Sequence, residues 1–142
     1  MATEVQVVID CADPATLAPF WAEALGYVVQ PPPPGFESWQ DWLRDQGIPE
    51  DRWNDASAVV APDRAGPRIF FQRVPEPKSV KNRVHLDLNV TAGVPGEEAD
   101  DVLEAEAKRL EALGATCLRK MDQSSGQWIV MQDPEGNEFC VQ

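Results

Sequence analysis

The sequence is poor in the residues on which several kinds of protein depend. It holds one histidine and three cysteines, and its 12 lysines and arginines face 24 aspartates and glutamates. Because Cys11, Cys117 and Cys140 form no Cys-x-x-Cys pair, we do not expect a structural zinc site. An odd number of cysteines without pairable spacing is typical of a reducing compartment, so we predict a cytoplasmic protein.

Long apolar runs and basic clusters are scarce as well. No segment approaches the ~18 apolar residues of a membrane span, and the first residues lack the basic-then-apolar pattern of a signal peptide. The formal net charge of −12 repels a phosphate backbone. The nearest candidate for a basic patch is Lys78, Lys81 and Arg83, which we interpret as a solvated linker. The sequence therefore predicts binding to neither membranes nor nucleic acids.

What the sequence does contain is an internal repeat. Residues 5–10 and 84–89 are both alternating, strand-like segments, and each is followed by an amphipathic helix. The two helices end alike, as Ala-Leu-Gly-Tyr at 24–27 and as Ala-Leu-Gly-Ala at 112–115. Each half then closes with a turn and an apolar strand. A duplicated unit of this kind builds a pocket from equivalent positions in its two halves.

Each half predicts one helix among strands, in the order βαβββ. In the first half Asp13 and Pro14 are typical of a helix start, and Gly26 is typical of a helix end. In the second half the apolar spacing predicts a helix over 97–113 with Gly114 as its C-cap. The predicted organisation is one domain, 1–142, with module 1 at 1–75 and module 2 at 82–142.

Residues 36–55 have no counterpart in the second half. This insertion carries Trp39, Trp42 and Trp53, which is more tryptophan than surface solubility requires. One interpretation is that the tryptophans fix the insertion to the body of module 1. The other is that the insertion is a lid over a ligand pocket, because aromatic-rich loops serve both purposes.

Several motifs occur in the order found in a known superfamily. They are Asp10-Cys11-Ala12-Asp13-Pro14, Phe20-Trp21, Phe71-Gln72-Arg73-Val74-Pro75-Glu76, Asn82-Arg83-Val84-His85-Leu86-Asp87, Leu113-Gly114-Ala115-Thr116 and Asp133-Pro134-Glu135-Gly136-Asn137-Glu138-Phe139-Cys140. On these motifs the chain resembles the glyoxalase-like branch of the vicinal oxygen chelate superfamily, to which bleomycin-resistance proteins belong. The resemblance implies an α+β fold, in which two tandem βαβββ modules form a curved eight-stranded mixed sheet around a cleft. A homodimer is implied by the resemblance alone.

Strand alternation separates the residues that face this cleft from those that pack beneath the helices. The cleft faces of the opening and closing strands carry a polar row, which is unusual for core positions. The three tryptophans of the insertion join them in the predicted site. The predicted ligand-binding residues are Gln6, Val8, Asp10, Trp39, Trp42, Trp53, Phe70, Gln72, His85, Asp87, Glu138 and Cys140.

Enzymes of the superfamily hold a divalent metal with one residue from each of four such strands. The resemblance carries these positions onto Gln6, Phe70, His85 and Cys140, so a phenyl ring replaces one ligand and no carboxylate is left. A catalytic metal usually needs three protein ligands. We therefore favour a cleft without metal or other cofactor. If a divalent metal does bind, the fallback ligand set is Gln6, His85 and Glu138.

The sequence thus predicts a glyoxalase-like protein that binds a small aromatic or apolar molecule between its modules, without metal. The alternative is an enzyme, either a lyase, isomerase or dioxygenase with an altered metal site, or a metal-free catalyst. In the metal-free case His85 is the catalytic residue, since histidine is the usual acid and base near neutral pH. A third reading is a vestigial cleft on a protein whose surface is an oligomer interface.

Overall fold

The internal repeat of the sequence is also a repeat of structure. The computed structural model describes all 142 residues and divides them into two units, Met1–Pro77 and Lys78–Gln142. The first unit contains β1 (Val7–Cys11), α1 (Pro14–Leu25), β2 (Val28–Val29), α2 (Trp39–Asp45), a 3₁₀ turn (Glu50–Arg52), β3 (Ala56–Val60) and β4 (Ile69–Arg73). The second contains β5 (Asp87–Leu88), α3 (Gly96–Ala112), β6 (Thr116–Gln123), β7 (Gly126–Gln132) and β8 (Glu138–Val141).

Both units have the same sheet topology. The strand order is β1-β4-β3-β2 in the first unit and β5-β8-β7-β6 in the second, with the opening and closing strands parallel in each. The predicted α+β class and the tandem βαβββ modules are confirmed, and the strands pair in one four-stranded sheet per unit. The single domain over 1–142 stays a prediction. None of the helices has the length and apolar character needed to cross a bilayer.

In the first unit, α1 covers one face of the sheet. Leu17 and Trp21 of the helix and Val59 and Phe71 of the strands are almost completely buried. The helix has the predicted ends. The Asp13 side chain accepts a hydrogen bond from the backbone N–H of the first turn, and the C-terminal glycine has a φ of 67°, which L side chains rarely adopt. This face of the sheet is core, so ligand chemistry belongs to the opposite face.

In the second unit, α3 covers the sheet in the same way. Leu103 and Leu110 of the helix and Phe139 and Val141 of β8 are buried. The helix ends one residue earlier than predicted, because its C-cap is Leu113, and the following glycine has a φ of 114°. The opening strand is shorter than its alternating sequence predicts: the paired residues of β5 are only Asp87–Leu88.

The tryptophan-rich insertion is attached to the first unit at both of its ends. Near its start, the indole N–H of Trp39 donates to the backbone carbonyl of Gln30 at 2.7 Å. At its end, the Asn54 side chain accepts from the backbone N–H of Ala15 and donates to Asp13, both at 2.8 Å. These contacts favour the interpretation in which the insertion is fixed to the body of module 1.

Candidate functional site

The residues predicted to bind a ligand are shared between the two units. Eight of them belong to the first unit and four to the second. Those of the first unit are Gln6, Val8, Asp10, Trp39, Trp42, Trp53, Phe70 and Gln72, and those of the second are His85, Asp87, Glu138 and Cys140.

In the first unit the predicted face of the sheet is open to solvent. Val8 of β1 lies opposite Phe70 of β4, and Asp10 lies opposite Gln72. Val8 is 50% exposed, whereas Phe71, the residue that follows Phe70, is fully buried. The alternation of the two strands therefore places these side chains on the sheet face that α1 leaves uncovered.

Arg68, which immediately precedes β4, contacts several side chains of this region, although the sequence did not identify it as a site residue. Its Nη1 donates to the side-chain oxygen of Gln6, and its Nε donates to the side-chain oxygen of Gln30, both at 2.7 Å. Its guanidinium carbon lies 5.3 Å from the centre of the Phe70 ring, within the range of a cation–π contact. Two neutral amides and one ring thus fix the orientation of a charged side chain.

This arrangement bears directly on metal binding by the first unit. Phe70 carries no donor atom at all. The side-chain oxygen of Gln6, which would have to ligate a cation, already accepts a hydrogen bond from a positively charged guanidinium. Neither of the two positions that the superfamily uses for a metal in this module therefore fits one.

Beside Arg68 lies an open groove with a volume of about 1390 Å³. Its lining includes the four consecutive prolines 31–34 and Trp39, together with Val28, Val60 and Gln30. Thr3, Glu4, Val5, Gln6, Ala61, Pro62, Arg64, Ala65, Gly66, Pro67 and Arg68 complete its lining. A concave, mainly apolar surface with a few fixed polar groups is the usual form of a small-molecule site.

Of the three tryptophans in the insertion, only Trp39 lines this groove. Trp42 packs edge-to-face against Trp39, with the ring centres 5.6 Å apart. Trp53 donates its indole N–H to the carbonyl of Ile48 at 2.8 Å and lies beneath the guanidinium of Arg44. Trp42 and Trp53 therefore hold the insertion together, and their predicted part in ligand binding stays a prediction.

In the second unit, His85, Asp87 and Cys140 form a cluster whose potential ligand atoms all lie within 4.8 Å of one another. The Nε2 of His85 is 3.4 Å from a carboxylate oxygen of Asp87, and both side chains are about two-fifths exposed. Burial raises the pKa of the Cys140 thiol above its usual 9.0, and the neighbouring Asp87 carboxylate adds to the increase. Cys140 is consequently a neutral thiol near pH 7 unless a cation replaces its proton.

Glu138, on the same strand, is engaged elsewhere within the unit. Its carboxylate is 3.1 Å from the Nζ of Lys78 and accepts the backbone N–H of Asn82 at 3.0 Å. Burial acts to raise the pKa of Glu138, but these donors outweigh it and leave the pKa lowered. Two members of the fallback ligand set, Gln6 and Glu138, thus already hold other partners.

One further aromatic residue belongs to this face. Trp128 is opposite Met121 in the β6–β7 ladder, and it lies two residues before Val130, which is opposite Cys140. Alternation along β7 therefore puts Trp128 on the same face as Cys140. The sequence did not predict its direction, because that depends on the register between β7 and β8.

The family to which these features belong is decided by comparison with known families. The model of the glyoxalase-like domain matches residues 6–142, which is nearly the whole chain. The chain belongs to the glyoxalase-like family. It is thereby a member of the vicinal oxygen chelate superfamily, as its motifs predicted.

Solved structures share the fold of this glyoxalase-like chain at low identity. A hypothetical protein from S. aureus is 13% identical, with a TM-score of 0.60 over 99% of this chain and 96% of that one. A glyoxalase/bleomycin resistance protein/dioxygenase family enzyme from Burkholderia phytofirmans PsJN is 15% identical, with a TM-score of 0.61 and coverage of 96% and 94%.

A third solved structure carries a metal. It is a mutant of the fosfomycin resistance protein FosX from Listeria monocytogenes, complexed with Mn(II) and 1S,2S-dihydroxypropylphosphonic acid. It is 12% identical to the glyoxalase-like chain, with a TM-score of 0.62 over 100% of this chain and 90% of that one. No curated protein matches the chain significantly. At these identities the likeness establishes the fold and not the ligand.

Proposed function

We propose that this glyoxalase-like protein binds a small apolar or aromatic molecule without using a metal, and that the groove of module 1 is part of its binding surface. The observation that carries the proposal is the groove itself. Its prolines and tryptophan offer apolar and π-rich surface, and Arg68 and Gln30 supply fixed polar groups in its lining.

The charge of Arg68 supports the metal-free part of the proposal. A divalent cation ligated by Gln6 would lie within about 5 Å of the guanidinium, where repulsion amounts to several kcal/mol even at an effective dielectric constant of about 20. With Phe70 offering no ligand, module 1 contributes nothing to offset that cost.

The proposal is tested by titrating the full chain with 1-naphthylacetamide, a neutral aromatic probe, in a calorimeter. Val28 and Val29 provide a matched pair, because they are neighbours in β2 with similar exposure, 45% and 41%, yet only Val28 lines the groove. We expect saturable binding that Val28→Asp weakens about tenfold or more, since a charge in an apolar contact must be desolvated. Val29→Asp is expected to bind as the unmodified chain does. Absence of saturable binding, or equal losses in both variants, would overturn the proposal.

A second candidate function, metal-assisted catalysis, is supported by the cluster of His85, Asp87 and Cys140. A thiol, an imidazole and a carboxylate suit Zn²⁺ better than the harder Mg²⁺ or Mn²⁺. This set differs from the fallback set, and only His85 is common to both.

Elemental analysis of untagged protein after exposure to zinc, nickel, iron or manganese distinguishes the two candidates. Stoichiometric metal that is lost in both His85→Ala and Cys140→Ser, but kept in Asp122→Asn, would replace the metal-free proposal. Protein that stays free of metal under these conditions, while binding the naphthyl probe, would exclude the second candidate.

A further inference from the structure

Arg68 is held by two hydrogen bonds from its guanidinium group, yet it has no carboxylate partner within ion-pair distance. Ion pairs with carboxylates are formed by Arg44, Arg52, Arg73, Lys78, Arg109 and Lys120. Arg68 instead donates to two glutamine side chains, which leave its positive charge uncompensated. In a chain with a net charge of −12, an oriented cation that forms no ion pair is a specific arrangement.

The hydrogen bonds leave part of the guanidinium available. Nε and Nη1 each donate to an amide oxygen, whereas the structure gives no acceptor for Nη2. The Phe70 ring supports one face of the group, so the side chain is held in place without loss of this donor. An arginine that is already oriented loses little conformational entropy when it binds an acceptor.

The charges around the groove are consistent with an acidic ligand. Arg68 and Arg64 are the positive groups in its lining and Glu4 is the only negative one, so the lining carries a net positive charge. Prolines 31–34 and Trp39 make much of the rest of the lining apolar. The groove thus combines an apolar surface with one oriented cation in its lining.

We propose that Arg68 is the anion-binding residue of this groove and that it recognises the carboxylate of an aromatic or apolar acid. This inference rests on the proposed small-molecule function and specifies its ligand class. Guanidinium groups bind carboxylates through charge-assisted hydrogen bonds, which are stronger than neutral ones.

The test compares 1-naphthylacetate with 1-naphthylacetamide, two probes of the same shape that differ by one charge. Calorimetric titration of the full chain should give a dissociation constant about tenfold or more lower for the acid, as expected for a hydrogen bond to a charged group. Added salt should reduce this preference, because Arg68 is only partly shielded from solvent.

Substitutions assign the preference to the residue. Arg68→Gln should make the acid and the amide bind equally. Arg68→Lys should keep part of the preference, because lysine retains the positive charge but lacks the planar guanidinium that Gln6 and Gln30 orient. Lys108→Gln, which removes one positive charge from the exposed face of α3, should keep the full preference. Unchanged circular dichroism verifies that each variant is folded.

The outcomes separate the two proposals. Equal binding of acid and amide by the unmodified chain would refute the anion site and leave the proposed function standing. A preference that survives Arg68→Gln would refute the role of Arg68. Failure of the amide to bind would overturn the proposed function, and with it the anion site that rests on it.

Discussion

Replacement of Trp39 by phenylalanine tests how the insertion is held in place. The change keeps an aromatic ring in the groove wall and removes one hydrogen bond, the 2.7 Å contact between the indole N–H and the carbonyl of Gln30. Because the side chain of Gln30 also accepts a hydrogen bond from Arg68, this contact connects the insertion, through Gln30, to Arg68 in the lining of the groove.

The expected cost of Trp39→Phe is about 1 kcal/mol of unfolding free energy, the net value of one hydrogen bond to a half-buried carbonyl. Trp39→Ala should cost more, about 2–3 kcal/mol, because it also removes the edge-to-face contact with Trp42 and the apolar area of the ring. Trp39 is half-buried, which keeps this value below that of a core tryptophan.

Equilibrium unfolding in urea, followed by far-ultraviolet circular dichroism, measures these costs without relying on tryptophan fluorescence. Trp42→Phe is the matched control, since the structure gives its indole N–H no acceptor and its change is expected to stay within about 0.5 kcal/mol. If Trp39→Phe is as neutral as Trp42→Phe, the hydrogen bond does not hold the insertion. If Trp39→Phe costs as much as Trp39→Ala, the ring that phenylalanine retains contributes nothing and its packing has been overestimated.

Two further predictions concern module 1. The pKa of Asp13 is lowered, chiefly by the Thr16 hydroxyl, so the carboxylate contributes stability above its unfolded value of 3.8 and loses it as pH falls through the lower folded pKa. The unfolding free energy of Asp13→Asn should therefore fall less between about pH 5 and pH 2 than that of the unmodified chain, and equal decreases would contradict the assignment. A Cβ atom at Gly66 would lie 1.9 Å from the Tyr27 hydroxyl, so Gly66→Ala should lower the free energy of unfolding by about 1–3 kcal/mol. Adding Tyr27→Phe should restore part of this loss, because it removes the hydroxyl. A double variant that is no more stable than Gly66→Ala alone would show that the hydroxyl is not the obstacle.

The parts of the fold that the sequence predicted correctly are features determined by a few consecutive residues, such as helix ends and strand alternation. Asp13, Pro14 and Gly26 define both ends of α1, because caps act on the N–H and carbonyl groups within one turn of the helix end. The alternation in β4 and β8 likewise separates buried residues such as Phe71 and Phe139 from their exposed neighbours.

The length of β5 was less predictable. Residues 84–89 alternate as a strand would, but alternation states only which way a side chain would point if the backbone were paired. Pairing depends on β8, which lies some 50 residues later in the chain and pairs with β5 over only two residues, Asp87 and Leu88. Ladder length is thus a property of two distant segments, and one of them alone does not determine it.

The same reasoning applies to the candidate site. The sequence by itself determined the duplicated modules, the family and the polar row on the open face of the strands, because periodicity and motif order are local properties. Only the tertiary structure decided what those polar groups do. Gln30 reaches Arg68 from 38 residues away and Gln6 from 62. These two contacts orient the Arg68 cation and occupy the Gln6 oxygen that was expected to help bind a metal. Hydrogen-bond partners depend on which strands become neighbours, so the chemistry of this face emerges only when the sheet has formed.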